Sequence, residues 1–201
     1  MMKKERRFYF SGTVMYLFFL ISLLFLGGIT KSIAAVKIDE KTLNNAINRA
    51  GLQRMLTQRM LKSYCQLGLD QFYIQPEKKL KTALNRYEQG LVFLKDFQQV
   101  PGVQKSLNSI NDIWPIYKAL ILAPASKKNV SDLVQMNEKL LSLSHQIVVK
   151  LEKLSGKELA KVVNISGRQR MLSQRIELFY LLRDWGFVDE FYQNELAKSV
   201  S

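Results

Sequence analysis

The chain has 201 residues, of which 47% are apolar and 10% aromatic, enough for one domain of ordinary size with a real core and too much for wholesale disorder. Thirty basic against seventeen acidic residues give +13, of which four net charges precede residue 35, so the remainder stays at about +9 and favours anionic ligands or surfaces. One cysteine, Cys65, excludes an internal disulfide framework, and one histidine, His145, excludes a multi-histidine metal site and leaves an enzyme a poor reading.

The first seven residues carry four basic side chains (Lys3, Lys4, Arg6 and Arg7) against Glu5, and an apolar block runs from Val14 to Leu26. Small residues follow at Ser32-Ile33-Ala34-Ala35, and together these form the three parts of a secretory signal peptide over residues 1–35. The alternative is an uncleaved membrane anchor through residues 8–29, just long enough to span a bilayer. Either way residues 36–201 are expected to be exported to the periplasm, which makes nucleic acid a poor partner for the basic surplus. Cys65 would then be a buried thiol.

Beyond the leader, apolar residues recur at 4,3 spacing, which predicts an all-α, up-and-down antiparallel bundle of four or five helices. The helices are expected near 39–73, 76–98, 102–122, 130–154 and 156–185, with a terminal turn reaching about 198. Asp39 can cap the first helix and Pro76 suits the first turn of the second. Pro115 falls inside the third, where it cannot donate to the carbonyl of Asn111. Ser155-Gly156-Lys157-Glu158 reads as a capping box that opens the fifth helix. The aromatic cluster Trp185, Phe187, Phe191 and Tyr192 reads as core, and Lys78-Lys79 and Lys127-Lys128 as solvated charge.

The first and fifth helices carry the same twelve-residue stretch. Residues 48–59 align with 164–175 at a constant offset of 116, and eight of the twelve positions are identical. On a helix the first copy places Ala50, Arg54 and Thr57 along the seam Leu43–Ile47–Leu61–Tyr64. The second would place Ser166, Arg170 and Ser173 along Leu159–Val163–Glu177–Tyr180. Both arginines are thus expected to point inward beside small or polar neighbours: Gly51 and Gln58 in one copy, Gly167 and Gln174 in the other. A mid-helix glycine costs about 1 kcal/mol against alanine, and an unpaired desolvated arginine costs several kcal/mol. A bound anion would offset both, and the planar guanidinium fork suits nitrate, nitrite or a carboxylate. Packing alone is the competing reading: a seam arginine can snorkel or pair with a glutamate such as Glu177, and paired glycines can serve close helix approach.

The pattern Asn-x-x-Gly-x-x-Arg-Met-x-x-x-Arg resembles the P-box of the periplasmic sensor domains of bacterial nitrate/nitrite sensor kinases. It is also similar to the N-terminal sensor domain of the type IV pilus methyl-accepting chemotaxis transducer, the PilJ-like family. The resemblance implies a helical sensor domain over 36–201 with P-box motifs at 48–59 and 164–175. In the nitrate sensors the P-box arginine and nearby backbone bind the anion where two equivalent helices meet across a homodimer. By position, that role falls on Arg54 and Gly51, and by the repeat on Arg170 and Gly167. Asn48, Ala50, Thr57, Gln58, Asn164, Ser166, Ser173 and Gln174 would be supporting residues. No cofactor, metal or catalytic set is expected. The function expected is a stand-alone sensor or binding module for a small anion acting through a membrane receptor or pilus component, and the alternative is a non-ligand-binding adaptor of the same systems. Three intervening helices of alternating direction place helices one and five parallel, so that one chain would build the pair that a sensor builds by dimerising.

Overall fold

The computed structural model describes residues 38–200, and the leader lies outside them. Six α-helices follow one another: α1 (Glu40–Gly68), α2 (Pro76–Leu94), α3 (Val103–Leu122), α4 (Lys127–Ser155), α5 (Glu158–Asp184) and α6 (Glu190–Val200). Short 3-10 turns at Phe72–Ile74 and Lys95–Phe97 flank α2. The architecture is an all-α bundle, with no strand among the described residues.

Helix α1 is the hub. It packs against α2, α4 and α5, while α3 closes on α4 and α6 folds back on α5. Being surrounded, α1 is buried almost continuously from Ala50 to Gln66. Its seam of Leu43, Ile47, Ala50, Thr57, Leu61 and Tyr64 meets Leu84 and Leu91 of α2 and Leu140 and Ile147 of α4 within one core. Aromatic rings seal the far side, where Trp114 of α3 stacks on Tyr87 of α2 at 4.4 Å. Asp39 caps α1 by accepting from the Thr42 amide at 2.9 Å, and Pro76 stands in the first turn of α2, where no amide is needed.

Several boundaries differ from the sequence expectation for local reasons. Helix α4 begins three residues earlier than expected, because the Ser126 hydroxyl accepts from the Lys128 amide. The Ser155 capping box does not form. Ser155 ends α4, Gly156 takes the left-handed conformation (φ 60°) that terminates it, and α5 starts after Lys157 without a side-chain cap. The terminal turn is a full helix, α6. Pro115 sits within α3 on its exposed face beside exposed Asn111, where solvent can reach the freed carbonyl.

The aromatic cluster is core in part. Trp185 and Tyr192 are buried, Phe187 is half-buried, and Phe191 is exposed. Trp185 lies so close to Gly68 that a Cβ there would meet its ring at 2.0 Å. Gly68 therefore docks the end of α5 on the end of α1. Cys65 is buried, and burial pushes its thiol up, away from reactive thiolate.

Candidate functional site

The two copies of the repeat pack against each other, parallel and in register. Gly51 and Gly167 meet where α1 and α5 come closest: a Cβ on Gly167 would stand 3.6 Å from the Gly51 Cα. Around that point the hydrogen bonds come in reciprocal pairs. Arg59 Nε donates to Gln174 Oε1 at 3.4 Å, and its counterpart Arg175 donates from Nη1 to Gln58 Oε1 at 3.2 Å. Arg54 Nη2 donates to the Asn164 carbonyl at 3.1 Å, and Arg170 Nη2 donates to Asn48 Oδ1 at 2.9 Å. The Thr57 hydroxyl donates to the Arg54 carbonyl at 2.8 Å, as Ser173 does to the Arg170 carbonyl at 3.0 Å. Each copy treats the other as a partner subunit would.

The face that makes this contact is not the one expected for α5. Ala160, Gly167, Met171, Arg175, Leu178 and Leu182 are buried, whereas Leu159, Ser166, Arg170, Ser173, Glu177 and Tyr180 are exposed. In α1 the residues equivalent to that exposed row face α2 and α4, which pack mainly on α1. Nothing equivalent covers that row of α5 among the described residues. Arg54 and Arg170 are therefore not at matching depth: Arg54 is 1% exposed, and Arg170 lies at the surface. Their tips still converge, since a Gly167 Cβ would stand 3.0 Å from Arg54 Nη2 and 3.9 Å from Arg170 Nη2. Glu177 pairs with neither arginine; it accepts from Lys62 Nζ at 2.9 Å.

Arg54 is the unusual group. Its Nη1 meets His145 Nδ1 at 3.1 Å, its Nη2 meets the Asn164 carbonyl, and its Nε has no hydrogen-bond partner. None of these partners is a carboxylate. Burial first, then the charges of Arg168 and Arg170, hold its guanidinium down at about 10, against some help from Glu152. Glu152 itself is turned toward Asn164, whose Nδ2 donates to it. Because an arginine only donates, the Arg54–His145 contact requires a neutral imidazole accepting at Nδ1. Burial and the Arg54 and Arg168 charges push the His145 pKa down, favouring that neutral form, while Glu152 opposes them.

These groups line an open cavity of about 350 Å³ between α1, α4 and α5, walled by Arg54, Ser142, His145, Arg168, Leu141 and Met171. Glu138 also lines it, but that carboxylate is bound by Arg175 at 2.5 Å. The cavity thus combines a buried cation without a carboxylate partner among the described residues, a second arginine, a hydroxyl that can donate or accept, and an imidazole whose Nε2–H can donate. That chemistry suits a small oxyanion. Of the expected residues, Arg54 is at the cavity wall. Gly51, Gly167 and Gln58 are buried in the α1–α5 contact behind it, and Ala50 and Thr57 are buried elsewhere on α1. Asn164 and Gln174 are half-buried beside it, and Asn48, Ser166, Arg170 and Ser173 are at the exposed edge. Arg168 and His145 are the residues that repeat-matching missed. Arg168 replaces Leu52 of the first copy, and that apolar-to-basic exchange is the sequence signal for a charged α5 flank.

Residues 40–139 match the family model described as PilJ, the type IV pili methyl-accepting chemotaxis transducer N-terminal domain. The match spans α1, α2, α3 and the first part of α4, including the repeat copy that carries Arg54. No curated protein and no solved structure matches the chain.

Proposed function

We propose that this protein is an exported, non-enzymatic sensory module of a type IV pilus or chemoreceptor system, which binds a small monovalent oxyanion such as nitrate, nitrite or a short carboxylate. The observation that carries the reading is Arg54: a buried guanidinium without a carboxylate partner among the described residues, on the wall of a cavity shared with Arg168 and His145. An anion there would offset one of the two positive charges that Arg54 and Arg168 bring to the cavity. The PilJ match over 40–139 supports the sensory or adaptor class, and a membrane receptor or pilus component is the partner that would read occupancy.

The adaptor reading without a ligand draws on a different feature, the exposed apolar residues Leu159, Val162 and Ile165 on α5. Thermal denaturation across nitrate, nitrite, formate and acetate separates the two. A ligand that binds only the folded state raises the midpoint, by the equivalent of about 2.7 kcal/mol at a hundredfold excess over Kd. Stabilisation by one of these anions that disappears in Arg54→Met supports the sensor, and an unmoved midpoint with every anion supports the adaptor.

A further inference from the structure

The internal repeat makes Arg59 and Arg175 equivalent, yet their surroundings differ in one respect. Arg175 is neutralised twice, by Glu138 of α4 and Glu195 of α6, each at 2.5 Å. Arg59 makes the matching amide contact, to Gln174, and pairs with no carboxylate among the described residues. It opens instead into a cleft of about 460 Å³ on the α2 side of the α1–α5 pair, together with Lys62, Lys78, Lys79, Thr82, Gln75 and Gln174. No acidic side chain lines this cleft among the described residues. The nearby carboxylate, Glu177, is occupied by Lys62 Nζ at 2.9 Å and Gln66 Nε2 at 3.3 Å. Lys78 and Lys79 make no ion pair among the described residues, although the neighbouring Lys81 on the same helix pairs with Glu77. The start of α2 adds its own positive end to the same wall.

We infer that this cleft is a second ligand site, for a small anion carrying at least two ionised oxyacid groups. The reasoning is one of completion. Where the repeat is closed by the protein, two carboxylates meet the terminal arginine; where it is left open, lysines gather around the equivalent arginine and the negative charge must come from outside. Three unpaired cations from two helices, with different reaches, suit separated negative groups better than a monovalent ion. The volume falls in the range of small-molecule sites and exceeds what nitrate needs. Polycarboxylates and diphosphates share this chemistry. The cleft contains none of the residues lining the Arg54 cavity, so it stands or falls separately from the proposed sensor function.

The test is calorimetric titration of the purified protein with citrate and with pyrophosphate at 150 mM sodium chloride, where weak surface attraction is screened. Saturable binding of at least one probe is expected, weakened tenfold or more in both Arg59→Gln and Lys79→Gln. It should be unchanged in Arg54→Met and in Lys105→Gln, an exposed charge on α3. Citrate alone would assign a carboxylate ligand, pyrophosphate alone a phosphoryl one, and either supports the site. Absence of saturable binding by both probes, or a Lys105→Gln loss equal to that of Lys79→Gln, would overturn it. Because Lys79 is exposed and makes no ion pair, Lys79→Gln keeps the test decisive even if Arg59→Gln disturbs folding.

Discussion

Replacing Arg54 by methionine should stabilise the ligand-free protein. A guanidinium held at about 10 rather than 12.5 carries roughly 3 kcal/mol of unfavourable charge in the folded state at neutral pH. Its contacts to His145 and the Asn164 carbonyl return about 1 kcal/mol each. Methionine fills most of the same volume with a flexible apolar chain, and the Asn164 main-chain carbonyl lies within α5, where the helix supplies its own donor. The net expectation is a gain of about 1 kcal/mol, or a rise of about 2–4 °C in Tm for a chain of this size. The assay is paired thermal and urea denaturation in zwitterionic buffer, then again with nitrate, nitrite or formate. Wild type should gain stability from an anion, and Arg54→Met should start higher and gain nothing. A loss of 2 kcal/mol or more in the anion-free buffer would mean that Arg54 is a structural member of the core and not a cation waiting for a ligand.

Four further outcomes follow from the same geometry. Because the folded-state pKa of His145 is depressed, its contribution is intact above its unfolded value near 6.5 and is lost as pH falls below it. Anion-free stability should therefore decline below that pH, and His145→Gln should flatten the decline in a pH series of urea melts. Anion affinity should move the other way, strengthening with acidification in wild type, because a bound anion favours the imidazolium; calorimetry at two pH values reads this. Glu195→Gln should loosen α6 from the bundle at a cost of about 2–3 kcal/mol, since it strips one carboxylate from a buried arginine. Hydrogen exchange should then rise first over residues 190–200. Gly68→Ala should cost about 1–3 kcal/mol by pushing Trp185 off its seat, with a loss of near-UV circular dichroism, while Gly156→Ala should leave the Trp185 signal intact because no atom lies within 4 Å of its Cβ position.

The all-α class and the parallel pairing of α1 with α5 were legible because they follow from periodicity and from a repeat of fixed offset. The expected count of four or five helices falls one short, because α6 reads only as a turn in the sequence. The face α5 would bury was not legible, and the reason is physical. Identical residues in two copies specify the same helix, but burial depends on what surrounds it. Arg54 is enclosed because α2 and α4 flank α1, and Arg170 is exposed because no helix covers its side of α5 among the described residues. Each copy meets the other along Gly51–Met55–Arg59 and Gly167–Met171–Arg175, a row in which glycine permits contact and arginine finds the opposite glutamine. The exposed serine-rich flank of α5 (Ser166, Ser173) and Arg168 were the available signs of this asymmetry. His145 could not be found from the repeat at all, since it comes from α4 and joins the cavity through tertiary packing alone. The Ser155 box failed because the same four residues also encode a helix stop, and Gly156 at positive φ favours the stop.

The most direct single measurement is calorimetric stoichiometry at a concentration where sedimentation shows a monomer. If one chain supplies both halves of the helix pair and Arg54 is the anion's seat, nitrate, nitrite or formate should bind at one per chain, independent of protein concentration. Half an anion per chain, with affinity that rises as the protein dimerises, would contradict it, as would the absence of heat with all three.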